Sequence, residues 1–235
     1  MTLRMIVRSS AAGAALAKKA SLAREAPPWN VPEEVRERFR RMRASLGAAE
    51  QPDFCVALTS TVGGEGVSWV SAMLSCAIAE EEQDAATVSL LDLNRQNPSQ
   101  CRIFGANSST SGRVEGSNGL VVHETPWPNI SVLTPDPHRA DALPSSPSWL
   151  RQTVAHLRPK ARAVVIDCES MRDSSQVLDL APALDGVLFV VEAERERRQA
   201  VERCLESIRR SKMPILGVVL NKRSRYLPDP LYNAL

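Results

Sequence analysis

No run in this sequence approaches the roughly 18 consecutive apolar residues that would span a bilayer, so a soluble or membrane-peripheral protein is expected. Cysteine is sparse and unpaired in pattern. The five residues Cys55, Cys76, Cys101, Cys168 and Cys204 are an odd number with no CxxC spacing, which fits free thiols in a reducing, cytoplasmic compartment rather than a disulfide framework. The three histidines are scattered without HxxxH or HExxH spacing, so nothing points to zinc. An excess of one charge is also missing: 29 basic against 27 acidic residues leave a net +2, too even for the basic footprint of a nucleic-acid partner.

What is there suffices for one sizeable core: 235 residues, 43% of them hydrophobic. Residues 1–31 are rich in Ala, Ser, Lys and Arg, with no acid before Glu25, and read as a disordered tail rather than a targeting segment or membrane-surface helix. Pro27, Pro28 and Pro32 separate that tail from a helix expected over Glu33–Leu46, whose first-turn acids suit its positive end. The folded domain is expected over residues 32–224, followed by a tail of residues 225–235 that holds the only two tyrosines, Tyr226 and Tyr232.

Within the domain, short apolar runs alternate with segments of helical periodicity. Strands are expected at 54–58, 87–92, 130–133, 164–167, 187–191 and 215–220, and helices at 66–82, 174–184 and 197–212. Gly105–Gly119 reads as a long surface loop and 126–147 as a proline-rich connection. Such alternation implies an α/β fold, a doubly wound and mostly parallel sheet with helices on both faces in three layers.

The segment Thr59-Ser60-Thr61-Val62-Gly63-Gly64-Glu65-Gly66-Val67-Ser68-Trp69 lies between the first strand and its helix, where phosphate-binding loops sit. Phosphate chemistry there needs glycines that let backbone N–H groups curl around oxygens, a helix N-terminus, and a lysine and a hydroxyl aimed at the phosphates and Mg²⁺. Against GxxxxGK[ST], Gly66 and Ser68 match, Thr61 replaces the first glycine and Val67 stands at the lysine position. A lysine touching a polyanion contributes several kcal/mol and follows charge into the transition state, so valine is expected to cut turnover by orders of magnitude. Trp69 adds bulk that would narrow the site. Taken alone, Gly63, Gly64 and Gly66 are as well explained by a tight β-to-α turn.

Five segments in linear order resemble the cytoplasmic tyrosine-kinase domains of bacterial capsule and exopolysaccharide assembly, members of the MinD/ParA group of P-loop proteins. They are Glu37, Arg40 and Arg43 at E-x-x-R-x-x-R spacing; Gly64-Glu65-Gly66-Val67-Ser68-Trp69 against G-E-G-K-S-T; and Leu91-Asp92-Leu93-Asn94-Arg95-Gln96-Asn97-Pro98 against D-x-D-x-R-x-P, with Asn94 for the second acid. Val165-Ile166-Asp167 follows at a Walker B strand end, and Leu216-Gly217-Val218-Val219-Leu220-Asn221 against G-V-V-L-N.

The resemblance covers residues 33–235. It implies ATP or ADP bound by Gly63 to Trp69 with Asn221 near the adenine, Mg²⁺ held by Ser68, Asp92 and Asp167, and the two aspartates as catalytic residues if the protein is active. It further implies a homo-oligomer joined through Glu37, Arg40 and Arg43, a membrane chain-length or co-polymerase partner at the inner face of the cell membrane, and phosphorylation of Tyr226 and Tyr232 unless that tail only docks. The expected function is a degenerate member that regulates polysaccharide polymerisation or export with weak or no ATP turnover. The alternatives are an active autokinase in which Arg95 or a neighbouring subunit replaces the lysine, and a MinD/ParA-type partition or positioning ATPase.

Overall fold

The run Phe54–Ser60 forms the central strand β1, and every one of its residues is buried. That follows from its place in the sheet: parallel neighbours flank it, β6 (Ala163–Asp167) on one side and β7 (Gly186–Glu192) on the other. A strand covered on both faces needs apolar residues at every position rather than every second one. In the computed structural model, which describes residues 31–48, 51–80, 87–106, 112–113, 119–127, 129–138 and 146–222, the strand order is β3-β4-β5-β2-β6-β1-β7-β8. Here β2 is Val88–Asp92, β3 Gly112–Arg113, β4 Leu120–Glu124, β5 Ile130–Pro135 and β8 Ile215–Asn221.

Strands β5, β2, β6, β1, β7 and β8 pair in parallel, and β3 and β4 add an antiparallel edge. Strand β3 lies inside the stretch read as a loop, and β4 falls just after it, where the sequence reading placed no element; β5 matches the strand expected at 130–133. Two cores sit on opposite faces. One joins Phe54, Val56 and Leu58 to helices α1 (Glu33–Ser45) and α2 (Val67–Ala79). The other joins Cys55 and Ala57 to α4 (Pro147–Leu157), α5 (Gln176–Leu180) and α6 (Arg198–Arg210). Alternate residues of one strand thus serve alternate layers.

The sequence reading also missed two helices. Helix α4 starts on Ser146 with Pro147 in its first turn, and it buries Trp149, Leu150, Thr153, Val154 and Leu157 at helical spacing. The short α3 (Gln100–Ile103) follows β2. The helix expected at 174–184 is shorter, ending in a 3₁₀ turn at Ala181–Ala183. Residues 1–30 and the tail with Tyr226 and Tyr232 lie outside the described residues.

Candidate functional site

The carboxyl ends of β1, β2, β6 and β8 converge on one edge of the sheet, where open α/β sheets hold ligands. From β1 the chain turns through residues 61–66 into α2. Gly64 and Gly66 have φ of 91° and 93°, a conformation that side chains resist. At Gly66 even a methyl would collide with the Asn221 side-chain amide. Asn221 Nδ2 donates to the Glu65 carbonyl at 2.9 Å, and Lys222 Nζ donates to the Gly64 carbonyl at 2.6 Å. The end of β8 therefore grips the outer, carbonyl side of the loop.

A cavity of about 260 Å³ lies against the loop, its wall including Gly63, Gly64, Gly66, Ser68 and Arg102. It is of a size for a phosphate chain rather than for a whole nucleotide, since sites for drug-sized ligands run to about 300–1,000 Å³. Trp69 lines this cavity too, but its ring meets Phe39 of α1 edge to face, centroids 5.5 Å apart. Its bulk therefore also packs α1 onto α2.

Val67 is only 8% exposed and belongs to the core beneath α2, so its side chain brings apolar contact where a lysine would bring charge. Arg95, the sequence candidate for a replacement cation, lines a different cavity of about 540 Å³ between α3 and the β4–β5 hairpin. Its backbone N–H donates to Glu169 Oε1 at 3.1 Å.

Asp92 and Asp167 face each other in register on β2 and β6, both buried. Asp92 Oδ1 accepts the Asn94 N–H at 3.1 Å, and Oδ2 accepts the Ser99 and Gln100 N–H groups, each at 3.0 Å. Asp92 thus caps α3, in the way a side-chain oxygen satisfies the first free N–H groups of a helix. Asp167 Oδ2 accepts Gln100 Nε2 at 2.7 Å, and the same amide nitrogen donates to the Ser68 carbonyl at 2.9 Å. Burial, reinforced by the charge of Asp92, pushes the Asp167 carboxyl up to about 7 against the lowering pull of Gln100 and Ser68. Burial likewise raises Asp92, although three backbone N–H groups oppose it.

These contacts bear on whether Ser68, Asp92 and Asp167 suit Mg²⁺. A divalent cation takes naked carboxylate oxygens or water held by them. Here both oxygens of Asp92 and one of Asp167 already accept protein N–H groups, and Asp167 Oδ1 is buried without a hydrogen-bond partner. As it stands the pair offers a divalent cation a single bare carboxylate oxygen, Asp167 Oδ1, beside Ser68. Among the described residues no group of three or more His, Cys, Asp or Glu side chains is placed to hold a metal.

Glu65 is sealed from solvent, and its Oε1 accepts the Val62 N–H at 3.4 Å. Burial and the neighbouring carboxylate of Glu196 raise it to about 7, while the Val62 and Thr61 N–H groups pull it down. Asn94 Oδ1 accepts the Asn97 N–H at 3.1 Å, an acceptor role that leaves no second acid in the loop after β2.

The structure brings Gly63, Gly64, Gly66, Val67, Ser68 and Trp69 to one cavity, with Glu65 buried behind the loop and Asn221 holding it from outside. Glu37, Arg40 and Arg43 lie elsewhere. Arg40 pairs with Glu33 at 2.6 Å, Glu80 at 3.1 Å and Glu37 at 3.6 Å, and Arg43 Nη1 donates to the Ala77 carbonyl at 3.4 Å. Within one chain these arginines seat α1 on the end of α2. Gln100, Arg102 and Lys222 were not singled out by the sequence reading. The one available signal was the spacing from Asp92 to Ser99 and Gln100, an acid followed by a short helix it can cap.

No protein-family model matches the chain. Among curated proteins it is similar to the tyrosine-protein kinase CpsD of Streptococcus agalactiae serotype Ia, 26% identical over 200 residues that cover 80% of this chain and 82% of the relative. Among solved structures, the chimerical protein CapA2B2 superimposes with a TM-score of 0.68 at 21% identity, covering 87% of this chain and 90% of that one. The septum site-determining protein MinD of Pyrococcus horikoshii, complexed with Mg-ADP, gives 0.58 at 16% identity, covering 77% and 76%. The expected α/β/α layering is thus the fold of these proteins. The chain has the fold of these proteins, and its sequence is similar to that of a CpsD-type tyrosine kinase over four fifths of its length.

Proposed function

We infer that this relative of the CpsD-type kinases is a degenerate member that regulates polysaccharide polymerisation or export by assembly, with little or no ATP turnover. The observation that carries the reading is the apolar Val67 at the lysine position, packed into the core beneath the phosphate-binding loop. At contact distance a lysine and a phosphate charge attract by about 4 kcal/mol at an effective dielectric near 20, so its loss removes roughly a thousandfold in affinity or rate. The hydrogen bonds at Asp92 support the same reading, since both of its oxygens already accept backbone N–H groups and only Asp167 Oδ1 is left without a partner.

The remaining roles follow from the kinship. Assembly into a homo-oligomer would use α1, and the partner would be a membrane co-polymerase protein at the inner face of the cell membrane. No described helix is long and apolar enough to cross a membrane, so attachment would run through that partner. The test is mass spectrometry of the full chain after incubation with Mg-ATP. Unmodified Tyr226 and Tyr232 are expected. Stoichiometric phosphotyrosine at either would replace this reading with that of an active autokinase.

A further inference from the structure

Strand β8 ends the sheet on the side away from β3 and β4, and among the described residues no strand lies beyond it. Its seven residues, Ile-Leu-Gly-Val-Val-Leu-Asn, hold no charge and no proline. An edge of that kind is a template for pairing, and folded proteins blunt it with charges, prolines or a covering segment. Val218 and Leu220 are 53% and 56% exposed, the large apolar side chains left open among the described residues.

The hydrogen bonds show which way the backbone of β8 points. The Asn221 carbonyl accepts the Ala193 N–H at 2.9 Å, just past the end of β7, so Asn221 is directed inward. Successive residues of a strand point their N–H and C=O groups to opposite sides. Val219 is therefore also directed at β7, and Val218 and Leu220 are directed at the open edge. Their side chains stand on the same face as their register partners Phe189 and Val191, which pack in the core under α4, α5 and α6. Outward backbone groups and bare apolar side chains thus belong to the same two residues.

The segment that follows β8 matches this edge in reach and in pattern. Lys222 has φ of 54°, the left-handed conformation that reversing turns use, and residues 223–235 come after it. A turn of about four residues leaves about nine, which at about 3.3 Å each extend roughly 30 Å, against roughly 23 Å for β8. In Tyr226-Leu227-Pro228-Asp229-Pro230-Leu231-Tyr232 the prolines stand two positions apart. On a strand both missing donors would fall on one side, while Leu227, Asp229 and Leu231 keep their N–H groups on the other. Residues that face each other across an antiparallel pair share a face of the sheet, so Leu227 and Leu231 would come to the bare Val218 and Leu220. The prolines would form the new outer edge, where they are tolerated and stop further pairing.

We propose that residues 226–232 fold back on β8 of the same chain as an added antiparallel edge strand, with Leu227 and Leu231 covering Val218 and Leu220. The proposal is independent of nucleotide binding and turnover. The test is amide hydrogen exchange of the full chain, read by NMR at single residues. The Val218 and Leu220 amides are expected to exchange at least about tenfold more slowly in the parent than in the full-length Leu227→Asp/Leu231→Asp variant, which loses the apolar contact. The Val219 and Asn221 amides, directed at β7, should stay protected in both and report that the sheet is intact. Leu227→Pro, which removes an inward donor, takes the place of the double variant if that one unfolds.

Equal exchange of Val218 and Leu220 in parent and variant overturns the proposal. Protection that fades on dilution, together with a dimer in sedimentation, also overturns it, because the edge would then be covered by a second copy of the chain. Protection that is unchanged by dilution in a monomer and lost in the variant is the expected result.

Discussion

Glu65→Gln isolates the cost of a buried acid inside the glycine loop between β1 and α2. In the native protein Glu65 titrates near 7 instead of 4.5, because burial and Glu196 disfavour its charge. A group whose folded value is raised gives stability that is complete below its unfolded value and is lost as pH rises through the folded one. Stability should therefore decline from about pH 4.5 to about pH 7 and stay flat above. The difference between 4.5 and about 7 corresponds to about 3.5 kcal/mol at about 1.4 kcal/mol per tenfold change in proton affinity. Water around the surface-side partner Glu196 screens the charge, so somewhat under half of that, ~1.5 kcal/mol, is the expected effect.

Glutamine keeps an acceptor for the Val62 N–H and cannot ionise. The difference between parent and variant should open by ~1.5 kcal/mol from pH 5 to pH 8 in urea unfolding followed by circular dichroism. Asp92 and Asp167 also titrate upward, but they do so in both proteins and cancel in the difference. Parallel stability profiles for the two proteins would refute the argument that Glu65 is held uncharged by its surroundings.

Gly66→Ala combines a left-handed backbone with a methyl directed at the Asn221 amide, and a loss of about 2 kcal/mol is expected in urea unfolding. An Asn221→Ala background should recover part of that loss by removing the obstacle. Arg40→Ala breaks exposed ion pairs to Glu33, Glu37 and Glu80, which should cost the fold no more than about 1 kcal/mol. If α1 forms the contact between subunits, sedimentation of this well-folded variant should show a smaller species than the parent. Equal masses would remove α1 from the assembly.

Much of the fold was legible because it is written in periodicity. The uninterrupted apolar run of β1 announced burial on both faces, and the glycine turn followed by Val67, Val70, Met73 and Leu74 announced a βα unit. The antiparallel edge was hidden because β3 is only two residues long and β4 is short and mostly half-buried, so neither shows a sustained apolar run. Helix α4 was overlooked for a related reason: Pro147 was read as a breaker although it occupies the first turn, where proline is at home.

The site was legible as a list of loop residues and not as a network. Nothing in the local pattern around Gln100 says that its amide will meet residues 32 and 67 positions away, since that contact depends on the crossover that brings β2 beside β6. Lys222 and Gly64 are likewise 158 positions apart. The identity of Val67 was visible at once, but only the packing shows it committed to the core. That Arg95 lines the cavity beside the β4–β5 hairpin and not the one against the glycine loop also needed the structure.

The central claim is that a phosphate-binding frame survives here without the cation that drives phosphoryl transfer. Its most direct test is the rate of ATP consumption by the full chain with Mg²⁺, measured beside Val67→Lys. The account predicts that the parent stays at the background of a protein-free control while the lysine variant rises clearly above it. Turnover by the parent that the lysine variant does not increase would contradict it.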